Sequence, residues 1–98
     1  MIVEHMVWFH FREDVSQTRR DELAAALRAL PKVVPGILRL EAGYNFTDRA
    51  RGCQLGLLVS LESKAALDAY QVHPAHVAVG KQLRAACEDV LALDFEHP

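Results

Sequence analysis

Residues 2–11 read Ile2-Val3-Glu4-His5-Met6-Val7-Trp8-Phe9-His10-Phe11, and the fold follows from how these side chains divide between two faces. Side chains alternate along a strand, so Val3, His5, Val7, Phe9 and Phe11 share one face, and Ile2, Glu4, Met6, Trp8 and His10 share the other. Large apolar groups on both faces mark a strand that must be covered twice. A chain of 98 residues supplies helices for one face only, so the second face is expected to meet another copy of the chain.

Downstream, Arg12, Glu13 and Asp14 form a charged turn and Ser16 is placed to cap a helix. Leu23, Leu27, Leu30 and Val34 then recur at helical spacing on one face. Pro31, Pro35 and Gly36 end that helix. Ile37, Leu38, Leu40 and Tyr44 mark a second strand, residues 45–52 an exposed loop, and Cys53 to Leu61 a third strand. Ser63 caps the next helix, Pro74 interrupts it, and a second helical piece is expected from Ala75 to Cys87 before a last strand from Val90 to Phe95. The order β-α-β-β-α-β is that of an α+β, ferredoxin-like domain: a four-stranded antiparallel sheet with two helical layers on one face. No repeat or long linker divides the chain, so residues 1–98 form one domain.

Composition narrows the partners. With 11 basic and 13 acidic side chains, a net charge of -2 and no Lys/Arg stripe, nucleic acid is not expected as a partner. No apolar run approaches the roughly 20 residues that span a bilayer, and the N-terminal residues do not read as a secretory leader, so no membrane contact and a cytoplasmic address are expected. Cys53 and Cys87 have neither disulfide-framework nor zinc spacing and read as reduced packing residues.

Chemistry concentrates in Tyr70-Gln71-Val72-His73-Pro74-Ala75-His76, a tyrosine and two histidines around a helix break. A neutral imidazole moves protons near pH 7, and a tyrosine hydroxyl can donate to a developing oxyanion. On a continuous helix Tyr70 and His76 would stand about 240° apart. The break at Pro74 is expected to bring them to one side, where hydroxyl and imidazole meet directly or through one water. His5 is a polar residue on the face of Val7 and Phe9, and needs a partner there. A pocket lined by His5, Val7, Phe9 and His73, with His76 as base, is one reading; capping by His73 and His76 and packing by Tyr70 is the other. At the end of the first helix, Pro35 cannot donate to the carbonyl of Pro31, which leaves backbone oxygens for water or for a hard cation such as magnesium or sodium. No phosphate loop, serine-hydrolase elbow or zinc-peptidase motif occurs.

The opening strand, the proline-bounded end of the first helix, and Asp68-Ala69-Tyr70-Gln71-Val72-His73-Pro74-Ala75-His76-Val77 together resemble the stress-responsive A/B barrel (Dabb) family over nearly the whole chain. The resemblance implies a homodimer in which two sheets meet face to face as an α/β barrel. It also implies, through a polyketide-cyclising plant member, cofactor-free acid/base chemistry with Tyr70 and His76 as the catalytic pair and His5 beside them. A further pocket histidine of that member falls on Leu55, which enters the expected lining as an apolar residue. A cation, where present, would be held by the carbonyls of Pro31, Val34 and Ile37. Binding or converting a small apolar carbonyl compound is the function this implies; a non-catalytic, stress-associated structural dimer is the alternative.

Overall fold

In the computed structural model, which describes Met1–Pro98, β1 (Ile2–Phe11) is the strand around which the sheet is built. It pairs antiparallel with β3 (Leu55–Leu61) on one side and β4 (Cys87–His97) on the other. β2 (Ile37–Tyr44) adds to the far side of β3, giving the order β2-β3-β1-β4. This is the ferredoxin-like arrangement expected from the order of elements.

Three α-helices pack on one face. α1 (Gln17–Arg28) starts where the Ser16 hydroxyl accepts from the Arg19 amide at 3.1 Å. α2 (Lys64–Val72) starts in the same way at Ser63, which accepts from the Ala66 amide at 3.1 Å. His73 then leaves the helical conformation (φ -62°, ψ 133°), as a residue before proline tends to do. Its imidazole caps α3 (Pro74–Ala86) by accepting from the Ala75 amide at 3.1 Å.

The faces divide as the alternation requires. Val3, His5, Val7, Phe9 and Phe11 are buried beneath the helices with Leu23, Leu27, Leu55, Val59 and Leu61. On the opposite face Trp8, Leu91, Leu93 and Phe95 stand exposed by 39%, 42%, 61% and 45%, an apolar area too continuous for a free surface. The register aligns Met6 with Leu93 and Trp8 with Leu91, so these side chains form one patch across β1 and β4.

Several boundaries differ from the sequence expectation. α1 ends at Arg28, and a 3₁₀ turn over Leu30–Lys32 carries the chain on, because Pro31 cannot donate an i→i−4 bond. Leu30 and Val34 remain buried with Leu23 and Leu27, since the turn keeps them on the same side. β3 begins at Leu55 rather than Cys53, and α3 passes into β4 at Cys87 with no intervening loop. Gly36, at φ +87°, turns the chain into β2, and a Cβ there would lie 3.0 Å from that of Ala66.

Candidate functional site

Between α3 and the edge of the sheet formed by β1 and β4 lies a cavity of about 170 Å³. It exists because β4 is poorly covered: its residues are exposed along nearly their whole length even on the helical side. Val7, Phe9, Leu27, Leu57, Leu83, Val90 and Ala92 give it apolar walls, and the polar groups lining it are His5, Gln71, His76 and Arg84. A volume of about 150 Å³ accommodates benzene, so this space holds a single ring or a short chain.

His5 is 5% exposed and its Nδ1 is hydrogen-bonded to a carboxylate oxygen of Asp94 across the β1/β4 ladder, where the two residues are register partners. A carboxylate only accepts, so Nδ1 carries the proton and Nε2 the lone pair. His76 contacts the carbonyl oxygen of Gln71 through Nδ1 at 3.2 Å, which likewise makes Nε2 its basic nitrogen. Burial lowers the pKa of His76 from 6.5, the Gln71 carbonyl opposes that shift, and the neighbouring His5, Arg84 and His73 side chains add to it. His76 is therefore neutral at pH 7.

Tyr70 lies between the two imidazoles, its ring 5.7 Å from that of His5 edge-on and 4.3 Å from that of His76. The break at His73 folds α3 back against α2 and closes the angular separation of a continuous helix. The expected direct hydrogen bond between Tyr70 and His76 is not made. The Tyr70 hydroxyl has no hydrogen-bond partner, the residue is fully buried, and it is absent from the cavity wall. Desolvation alone pushes its pKa up to about 12, so it is a neutral donor at every physiological pH.

The sequence-derived site residues thus separate into two groups. His5, His76, Val7 and Phe9 line one cavity, with Tyr70 immediately behind the histidines. Leu55 and His73 do not line it: Leu55 is in the core, its place on the wall taken by Leu57 two residues along β3, and His73 is engaged as the α3 cap. Asp94, Gln71 and Arg84 enter the site without having been singled out. Asp94 had one signal, as the one acid within the expected strand from Val90 to Phe95, but its match to His5 depends on the β1/β4 register.

Pro31 lies in the 3₁₀ turn, Val34 just after it and Ile37 at the start of β2. The carbonyls of Pro31 and Val34 accept no hydrogen bond from the turns or side chains around them, which leaves them free for a cation or for water. No cluster of three His, Cys, Asp or Glu side chains suited to a metal is present. A larger concavity, about 340 Å³, lies beside Trp8, Tyr44 and Phe46, but it has no histidine and adjoins the exposed sheet face.

Comparison with known proteins agrees with this fold. The chain is similar to olivetolic acid cyclase of Cannabis sativa, 25% identical over 97 residues that cover 97% of this chain and 96% of the relative. A hydroxynitrile lyase from Passiflora edulis shares the fold with a TM-score of 0.89 at 23% identity, over 96% of this chain and 91% of that one. A dimeric ferredoxin-like protein of unknown function from Jannaschia sp. CCS1 is 31% identical with a TM-score of 0.86, covering 99% of this chain and all (100%) of the other. Residues 3–97 match the Stress Responsive A/B Barrel Domain, and the chain belongs to that family.

Proposed function

We propose that the protein is a homodimer that binds and converts a small apolar carbonyl compound by acid/base chemistry that needs no cofactor. One observation carries the reading: two imidazoles, each with Nδ1 engaged and no partner on Nε2, line a single, mostly apolar cavity. His76, kept neutral by burial, serves as the base that removes a proton next to the substrate carbonyl. His5, oriented by its hydrogen bond to Asp94, holds the substrate. Tyr70 fixes both rings, and its unpartnered hydroxyl is a donor in reserve for an oxyanion once a ligand shifts the site. A cyclase and, on fold alone, a lyase are among the relatives, and both names fit such chemistry. A cavity of about 170 Å³ confines the substrate to roughly benzene size.

The homodimer rests on the apolar patch of Met6, Trp8, Leu91, Leu93 and Phe95, and on dimeric neighbours of the same fold. Face-to-face packing of two such patches buries both through one two-fold contact. The free thiols Cys53 and Cys87 fit a reducing compartment such as the cytoplasm. The free carbonyls of Pro31 and Val34, with Ile37, are proposed to hold a hard cation such as magnesium or sodium in a structural role. Either ion should then raise the Tm in a saturable way; an unchanged Tm argues for hydration alone.

A non-catalytic structural dimer is the second reading, favoured by Tyr70 filling the space between the histidines and by His73 capping α3. The experiment that separates the two combines imidazole NMR with a turnover screen over small aldehydes, ketones and hydroxynitriles. Catalysis requires that one compound shift the His5 and His76 resonances and be consumed, with His76→Ala lowering the rate by about 10² to 10⁴. Unmoved resonances and no turnover across the series favour the structural dimer.

A further inference from the structure

Arg84 projects from α3 into the lining of the cavity that holds His5 and His76. Its guanidinium takes part in none of the ion pairs of the chain and in no side-chain hydrogen bond. Its side-chain charge nevertheless reaches the site, because it is among the groups that disfavour protonation of His76. The other polar group on this side is Gln71, whose side-chain amide is also without a protein partner. The walls beyond are aliphatic or aromatic, and the one carboxylate near the histidines, that of Asp94, is already engaged by His5. The cavity therefore combines an apolar interior of about benzene size with a positive, hydrogen-bonding flank that lacks a counter-charge.

We infer that Arg84 is a specificity-determining residue that recognises a carboxylate on the substrate, so that the ligand class is a small carbonyl compound with an apolar body and an anionic head. This rests on the proposed function, whose cavity it uses, and deepens it by assigning charge to the substrate. A planar guanidinium matches a carboxylate with two parallel donors, which a neutral amide or ester cannot use fully. Fixing the head at Arg84 sets the register of the apolar body along the cavity and thereby selects which carbon faces His76. The arginine is solvent-exposed, so its contribution is screened and modest.

Phenylacetate and phenylacetamide are matched probes: the same ring and nearly the same shape, with and without charge. Titrated into the full-length protein at low salt and followed by calorimetry and by the His5 and His76 imidazole resonances, phenylacetate should bind about fivefold more tightly, the upper range for an exposed ion pair. Arg84→Gln should abolish that preference by weakening phenylacetate binding more than phenylacetamide binding, with an unaltered Tm as a check on folding. Added salt should erode the preference in the wild type and have no such effect in the variant. Equal binding of the two probes to the wild type, or a preference that survives in Arg84→Gln, overturns the assignment while leaving the cavity as a binding site. Binding of neither probe, with both imidazoles unperturbed, overturns the inference together with the reading on which it rests.

Discussion

Replacing Tyr70 by phenylalanine should make the protein more stable, which is the reverse of the usual outcome for a fully buried residue. The hydroxyl is sealed from solvent and bonded to nothing. A buried polar group without a partner carries a desolvation penalty of about 1–3 kcal/mol. Against this, deleting one oxygen forfeits a few van der Waals contacts at about 0.1–0.2 kcal/mol each, in sum well under 1 kcal/mol. The ring stays, and with it the contacts to His5 and His76. The balance is a gain of about 1 kcal/mol, or a rise in Tm of roughly 4–8 °C for a domain of this size. Thermal unfolding by circular dichroism measures it, with variant and wild type at one protein concentration because association shifts the apparent stability. A Tm lower than wild type by several degrees would mean that the hydroxyl has a stabilising partner, such as a buried water, and would refute the reasoning. If turnover is found, the same variant should be slower by less than His76→Ala, since the base remains while one donor is lost. A variant both more stable and less active would mark the hydroxyl as a group retained for function at the expense of stability.

Two further outcomes follow from the exposed sheet face. Trp8→Asp should dissociate the proposed dimer, because a charge desolvated in an apolar contact costs several kcal/mol; sedimentation that still gives a folded dimer would count against face-to-face packing. On the same face Glu4 accepts from the Ser60 hydroxyl and from His97 at 2.7 Å, so hydrogen bonds to Ser60 and then His97 hold the Glu4 carboxyl below 4.5, and the bond to Glu4 lifts His97 above 6.5. The contribution of Glu4 is present above pH 4.5 and lost as pH falls through its lowered pKa. That of His97 is present below pH 6.5 and lost as pH rises through its raised pKa. Tm measured against pH should therefore decline on both sides of that window, with His97→Gln removing the alkaline decline; an unaltered profile in the variant would sink the assignment.

The parts of the fold legible in the sequence are those set by local periodicity. Alternation in β1 assigned Trp8 to the outer face and His5 to the inner one, and the hydroxyls of Ser16 and Ser63 marked helix starts because capping is a contact over three residues. The His73-Pro74 break was legible because proline acts on its immediate neighbours. What escaped depends on register between distant strands. Whether Leu55 or Leu57 faces the cavity follows from the β1/β3 pairing and from where α3 lies, neither of which β3 carries within itself. Asp94 is 89 positions from His5, and nothing in either strand alone fixes their pairing. Arg84 reads as an ordinary surface residue of α3 until the poor cover of β4 opens a cavity beneath it.

The central position of β1 has a kinetic corollary. The earliest strand of the chain has the last strand as one of its two neighbours, so the sheet cannot close until β4 is available. Pairings of such large sequence separation make folding slow relative to helical domains of equal size, because loop closure precedes any compensating contact. During synthesis, β1 and β3 can zip beneath α1 and α2 while an edge of β1 stays open to pairing with other chains. The final strand closes that edge and, through Asp94, orients His5 in the same event. Completion of the sheet and the pairing of His5 with Asp94 are thus one step, and a nascent chain lacking β4 carries His5 and His76 without the carboxylate that orients His5.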